Sequence, residues 1–339
     1  MAVEEVLRSG QLAGGPKVLE FERRFAHAIG MSDAVAVNSG TSGLHLVLSG
    51  LGIGVGDEVI IPSYVCSALL HAVRNVGAIP VLVDSLADHV HMDTAQAMAM
   101  ITKKTKAVIL VHLFGDMIST REWKGSDLCI IEDGTQSLGN TGPDGAVGSL
   151  GDVSVFSFYA TKVMTTGEGG MIGVRDPALA QTLRDTREYD EKEIFRTRYN
   201  YKMTDLAAAM GLAQLAQLPS FLARRKRIAS RYNQVLRKLA PAPKRCNRDD
   251  SIYYRYVLAL GRDAEEGMDY FAHKGIGCKR TVFEPLHRVR RIADEQFPCA
   301  TAHYQHNVSL PVYPSLTDAE ILTVSDALLN LCMSHVEIL

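Results

Sequence analysis

The sequence predicts an α/β fold with a mostly parallel central sheet flanked by helices, followed by a smaller C-terminal α+β unit. Over roughly the first 175 residues, short apolar runs alternate with longer helix-like stretches, the pattern of repeated strand–helix–strand units. Most of those runs are continuously apolar, as strands buried on both faces require. From Met203 to about Leu239 the pattern becomes wholly helical, and beyond Pro241-Ala242-Pro243 short strands and helices resume. The chain therefore divides into a large domain, residues 1–239, and a small one, residues 240–339.

Strands are expected over residues 34–37, 58–62, 79–84, 107–112, 128–132, 153–157 and 170–174. Helices are expected over 43–51, 65–76 and 93–101, with right-handed crossovers. In the second unit the expectations are a strand at 253–260, a helix at 264–274, a strand at 277–281 and a last helix after Thr317. Thr317 and Glu320 have the spacing of a capping box.

Composition narrows the function. The 339 residues carry a formal net charge of -2, without the basic excess of a general nucleic-acid binder. No continuous apolar run approaches the roughly 18 residues that span a bilayer. Acidic Glu4 and Glu5 stand where a secretory leader needs bases, so a cytoplasmic protein is expected. Six dispersed cysteines have no metal-like spacing. His89-x-His91 and His303-x-x-His306 join no zinc pattern, and no metal is expected. The basic run Arg224-Arg225-Lys226-Arg227 reads as a solvated helix face.

Ligands of open α/β sheets sit beyond the carboxyl ends of the strands. After the first strand comes Asn38-Ser39-Gly40-Thr41-Ser42-Gly43, whose backbone N–H groups at a helix start suit an anion. It lacks the P-loop pattern, and Gly52-x-Gly54-x-Gly56 has the wrong spacing and place for a dinucleotide fingerprint. Adjacent acids Glu132 and Asp133 end another strand, and alternation aims only one of them into the crevice. Gln136 follows. Beyond the 153–157 strand lie Ser157, Tyr159 and Lys162, and Phe156, Phe158 and Tyr159 are expected to wall the lysine. A partly buried lysine amine is a better nucleophile. A phosphate cradle, a carboxylate, an amide donor and a lysine are the four partners that pyridoxal phosphate needs.

Eight segments, in order, resemble the DegT/DnrJ/StrS family of pyridoxal-phosphate-dependent nucleotide-sugar aminotransferases. They are Asn38 to Gly43, Gly56-Asp57-Glu58-Val59-Ile60-Ile61-Pro62-Ser63-Tyr64, Val111-His112-Leu113-Phe114-Gly115 and Ile131-Glu132-Asp133-Gly134-Thr135-Gln136. The rest are Gly151-Asp152 through Lys162, Gly167-Glu168-Gly169-Gly170, Tyr199-Asn200-Tyr201-Lys202-Met203-Thr204 and Leu310-Pro311-Val312-Tyr313-Pro314. The resemblance implies a fold type I pyridoxal-phosphate transferase that forms homodimers with shared active sites. It implies Lys162 as the Schiff-base lysine, Asp133 as the partner of the pyridinium nitrogen and Gln136 as the contact of the ring hydroxyl. It places Tyr64 against the ring, Thr41, Ser42 and Ser157 on the phosphate, and Asn200 on the phosphate of the neighbouring subunit.

Four departures stand out. Lys202 replaces a frequent Arg, Gly134-Thr135 replaces Ala-Ala, Ala160 replaces a Pro, and a short strand before the first helix is missing. A related subgroup has His at the lysine position and dehydrates sugars; Lys162 favours transamination. The resemblance implies transfer from an amino acid, taken as glutamate, to a nucleotide-linked keto sugar, with ping-pong kinetics. The alternatives are another fold type I reaction, of aldolase or desulfurase type, and a non-catalytic binding homologue.

Overall fold

The computed structural model describes residues 2–190, 192–239 and 242–333. Two helices come first, α1 (Ala2–Ser9) and α2 (Pro16–Ile29). Alternation follows through β1 (Asp33–Val37), α3 (Gly40–Gly50), β2 (Glu58–Pro62), α4 (Ala68–Asn75), β3 (Ile79–Val83), α5 (Thr94–Ala99), β4 (Thr105–Val111) and β5 (Cys129–Asp133). A hairpin of β6 (Thr141–Gly142) and β7 (Gly145–Ala146) leads to β8 (Val153–Ser157), β9 (Gly170–Val174), α6 (Pro177–Thr186) and the long α7 (Asp205–Leu236). The second unit holds β10 (Lys244–Arg245), β11 (Tyr256–Ala259), α8 (Ala264–Ala272), β12 (Lys279–Arg280), α9 (Leu286–Val289), α10 (Pro298–His306), β13 (Asn307–Leu310) and α11 (Asp318–Met333).

The large sheet has the order β1-β9-β8-β5-β4-β2-β3. Every pairing is parallel except those of β9, which runs antiparallel to both neighbours. Residues from both faces are buried, Ile131 on one and Ile130 on the other, which is why the strands read as unbroken apolar runs. The small sheet, β10-β11-β13-β12, is antiparallel. The capping box forms as expected, with Thr317 N donating to Glu320 and Glu320 N donating to Thr317 Oγ1.

Differences from expectation cluster at helix starts and in the second unit. The helix after β1 begins at Gly40, because Ser39 caps it. The helix after β2 begins only at Ala68, which leaves residues 63–67 as a loop at the sheet's edge. The last two expected strands are shorter, Tyr256–Ala259 and Lys279–Arg280. The expected boundary at Pro241-Ala242-Pro243 falls partly outside the described residues, since Ala240 and Pro241 are not among them. Packing makes the division gradual. Ala208 and Leu218 of α7 belong to the core with α2, whereas Ile228, Tyr232 and Leu236 complete the core of the small sheet.

Two expectations need correction. Arg225 is not on a solvated face: it is buried inside the fold. And α7 is long and apolar enough to meet the length and composition of a membrane span. Gln214, Gln217 and Ser220 interrupt its sequence, so no continuous run is visible. The helix packs against α1, α2 and α11 and contains Pro219.

Candidate functional site

The phosphate-type loop is built first. Ser39 caps α3, with its Oγ accepting from Ser42 N at 3.0 Å and lying 2.8 Å from Ser42 Oγ. The N–H groups of Gly40 and Thr41 lie in the first helical turn, where no intrahelical acceptor exists. Phe156 and Phe158 alternate with Ser157 and pack on α2, 5.1 Å from Phe25 and 5.3 Å from Phe21 respectively. That alternation turns Ser157 to the other side, against the loop. A Cβ on Gly40 would stand 2.8 Å from Ser157 Cβ, so only glycine lets β8 and the helix start meet.

Glu132 and Asp133 take opposite faces, as expected. Glu132 is wholly buried and accepts from His112 Nε2 at 2.9 Å and from the backbone N–H groups of Gly148, Leu150 and Gly151. Ile118 N donates to His112 Nδ1, which places the ring proton on Nε2. Burial would raise the Glu132 carboxyl, but the His112 bond and the amides outweigh it and hold it below its usual value. Glu132 is thus a structural anchor. Asp133 is 3% exposed. Its Oδ1 accepts from Thr135 N at 3.0 Å, and among the described residues Oδ2 has no matched donor or cation. Gly134 explains one departure from the family pattern: a Cβ there would lie 2.4 Å from Phe156 Cε1.

Gln136 turns its Oε1 to Phe114 N at 3.0 Å, which leaves its NH2 as a donor. Lys162 is half-buried in a turn closed by its N–H to Tyr159 O at 2.9 Å. The expected aromatic wall is different from the observed one. Phe156 and Phe158 are committed to α2, and the ring near Lys162 Nζ belongs to Tyr254, at 5.5 Å from the ring centroid. Sequence reasoning passed over Tyr254, because it is about ninety residues away and only the fold brings it near.

Tyr64 and Cys66 divide the loop after β2. Tyr64 is fully buried, its ring lies 6.3 Å from Phe114 and 5.6 Å from His303, and its hydroxyl bonds Thr281 Oγ1 and His303 O. Burial pushes its pKa well up. The Tyr64 hydroxyl is thus committed to Thr281 and His303. Cys66, two residues on, is the residue of this loop on whose thiol both Asp133 and Lys162 act. Solvent reaches its thiol, but protein crowds it on most sides. Desolvation and the Asp133 carboxylate raise its pKa, with Lys162 opposing. Asn200 has an exposed side chain, and its carbonyl accepts from Asn38 Nδ2 at 3.2 Å, beside the loop. Lys202 is committed within its own chain, 2.5 Å from Asp190 and 3.8 Å from Glu188.

Two other clusters have candidate chemistry and are better explained as structure. Ser63 Oγ lies 2.7 Å from His287 Nδ1, and His287 Nε2 lies 3.1 Å from Asp294. This has a serine–histidine–aspartate order, but Ser63 and His287 are wholly buried and no substrate reaches them. The rings of His89 and His91 lie 4.4 Å apart with their planes tilted at 54°, and His89 Nε2 is 3.2 Å from Asp116. Among the described residues, no group of three or more His, Cys, Asp or Glu side chains is arranged to hold a metal.

Comparison with known proteins is consistent along the whole chain. The profile of the DegT/DnrJ/EryC1/StrS aminotransferase family matches residues 1–329. A GDP-perosamine synthase of Caulobacter vibrioides is 36% identical over 332 residues, covering 93% of this chain and 90% of that protein. The crystal structure of S. venezuelae DesV, in complex with a ketimine intermediate, superposes with a TM-score of 0.91 at 31% identity, covering 97% of this chain and 92% of the other. The PLP form of a Streptococcus pneumoniae protein described as a sugar aminotransferase gives 0.89 at 29% identity, covering 98% and 95%.

Proposed function

This chain belongs to the DegT/DnrJ/EryC1/StrS aminotransferase family, and from that premise we propose that it moves the amino group of glutamate to the keto carbon of a nucleotide-linked sugar. Family membership makes it a fold type I, pyridoxal-phosphate-dependent sugar aminotransferase. The observation that supports the finer reading is that Asp133 ends β5 paired with Val155 of β8, the strand that leads to Lys162, and that both charges act on the Cys66 thiol. The similarity to a GDP-perosamine synthase supports a GDP-linked keto sugar as the acceptor to test first.

The residues fit the cofactor. Asp133 keeps one carboxylate oxygen without a hydrogen-bond partner among the described residues, and the first turn of α3 offers N–H groups flanked by Thr41, Ser42 and Ser157. Bound pyridoxal phosphate supplies an aldehyde and a ring that accepts electrons as a substrate proton leaves. Asp133 holds the proton on the ring nitrogen. Gln136 donates to the ring hydroxyl through its free NH2. Lys162 would hold the cofactor's aldehyde carbon through Nζ, and its free amine would carry the proton that leaves the donor's α-carbon. Because donor and acceptor use the same site in turn, the kinetics are ping-pong.

The protein works as a cytoplasmic homodimer in this reading, with Asn200 of the partner subunit completing the phosphate site. Ile194 and Phe195, 65% and 100% exposed on the same segment, supply apolar surface for that contact. The division into residues 1–239 and 240–339 belongs to the same reading, with α7 shared between the cores. Tyr64 is assigned a second role, as a buried support of the loop that carries Cys66. The desulfurase alternative needs an activated thiol; Cys66 is in place, but its pKa is raised, away from the thiolate.

The test supplies glutamate and a GDP-linked keto sugar and measures 2-oxoglutarate and amino-sugar formation. The wild-type protein should make both, and Lys162→Ala should lose about a thousandfold or more in rate. Turnover retained in Lys162→Ala contradicts the reading.

A further inference from the structure

A cavity of about 400 Å³ opens beside Lys162, lined by Gln214, Phe221, Arg225 and Tyr313 among others and by no acidic side chain. Arg225 reaches it from α7 and is 5% exposed. Its Nη1 donates to the carbonyls of Tyr253, Tyr254 and Val312. Its Nε has no acceptor among the described residues, and none of them gives the guanidinium a carboxylate partner. A buried cation without a counter-ion is costly, and burial pulls its pKa down to about 10. The neighbouring groups are also donors. Gln214 Oε1 is taken by Thr165 N at 3.2 Å, which leaves its NH2, and Tyr313, 45% exposed, carries a hydroxyl that can donate.

We propose that this cavity binds the side-chain carboxylate of the amino donor, with Arg225 as the residue that recognises it. The inference rests on the transamination reading and deepens it. Tyr254 links the two halves of the arrangement: its ring stands 5.5 Å from Lys162 Nζ, and its carbonyl accepts from Arg225 at 3.1 Å. A donor seated with its α-carbon at Lys162 thus extends toward a cation. A dicarboxylic amino acid gains that charge-assisted contact and an apolar one of similar size does not.

The diphosphate of the sugar substrate offers similar anion chemistry, so the test separates the two. Glutarate, a dicarboxylate with no amine to transfer, is titrated by calorimetry against the cofactor-loaded enzyme. Butyrate serves as the one-carboxylate control and GDP as the diphosphate probe. Glutarate should bind at least about tenfold more tightly than butyrate. Arg225→Met should remove that preference and leave GDP binding unchanged. Tyr313→Phe, a change of one hydroxyl, should weaken glutarate several-fold and guards against a fold defect in the first variant, which circular dichroism also checks. Equal binding of glutarate and butyrate by the wild-type enzyme overturns the proposal, as does loss of GDP binding in step with glutarate in both variants. If the enzyme transaminates but shows no such preference, only this inference falls. If it binds no pyridoxal phosphate, the functional reading falls with it.

Discussion

Tyr64 and Cys66 stand two residues apart, yet their side chains answer to different surroundings. The family pattern draws attention to the aromatic residue, and nothing local in the sequence marks the cysteine. What decides between them is the partner of each, Thr281 and His303 for Tyr64, Asp133 and Lys162 for Cys66. Those partners come from strands and loops far along the chain. The opposite sense of Glu132 and Asp133, by contrast, was legible from strand alternation alone. Cys66 also makes the site measurable. It is the exposed one of the described cysteines, so a maleimide should modify it first, with a rate that climbs past pH 9.0 because its pKa lies above that ordinary value. Bound pyridoxal phosphate should slow the reaction by about tenfold or more. A Cys66 labelling rate that ignores the cofactor, read by peptide mass spectrometry, would remove it from the cofactor site.

At the scale of elements, the strands were the legible part and the amino-terminal helices were not. All seven large-sheet strands fall within a few residues of expectation, because burial on both faces writes an unbroken apolar run. α2 has the right spacing in Val18, Phe21, Phe25 and Ile29, a Pro at its start and a left-handed Gly30 at its end. Buried Glu22 interrupts its apolar stripe, and the reason lies elsewhere: Arg184 and Arg187 pair with that carboxylate at 3.3 and 2.8 Å. The start of α2 has a remote cap as well. Asp205, at the first turn of α7, accepts from Gly15 N, Lys17 N and Val18 N at 2.8–3.2 Å. Asp205→Ala should therefore destabilise the protein by about 2 kcal/mol, since it strips the cap from one helix and the first-turn acid from another. Thermal unfolding measures this. An unchanged midpoint would show that water replaces the carboxylate without cost.

For the whole molecule, the buried histidines set the response to acid. His45, His91, His287 and His303 are each held below the ordinary value of 6.5, with burial as the foremost cause. In the unfolded chain they titrate near that ordinary value. Between the folded values and 6.5 the unfolded chain binds more protons, so stability rises with pH there and is lost as pH falls. Asp33, lowered mainly by its Arg184 hydrogen bond, and Glu132 add a further loss at lower pH, as each is protonated through its depressed folded value. The melting temperature should be nearly flat between about pH 7 and 8 and drop by several degrees toward about pH 5.5. A midpoint that holds or rises over that interval contradicts this account. The arrangement of these groups was beyond sequence reading: His89 and His91 join no recognisable pattern by spacing, and only the fold sets His91 against Leu113 N and His89 beside Asp116.

The central claim is that Lys162 carries the cofactor, with Asp133 as its polar partner across the crevice. The most direct measurement is to load the purified protein with pyridoxal phosphate, record its visible absorption, reduce it with borohydride and map the modified peptide. The account predicts a visible band that reduction removes and a single pyridoxyl group on Lys162. A label on any other lysine, or a protein that takes up no pyridoxal phosphate, would contradict it.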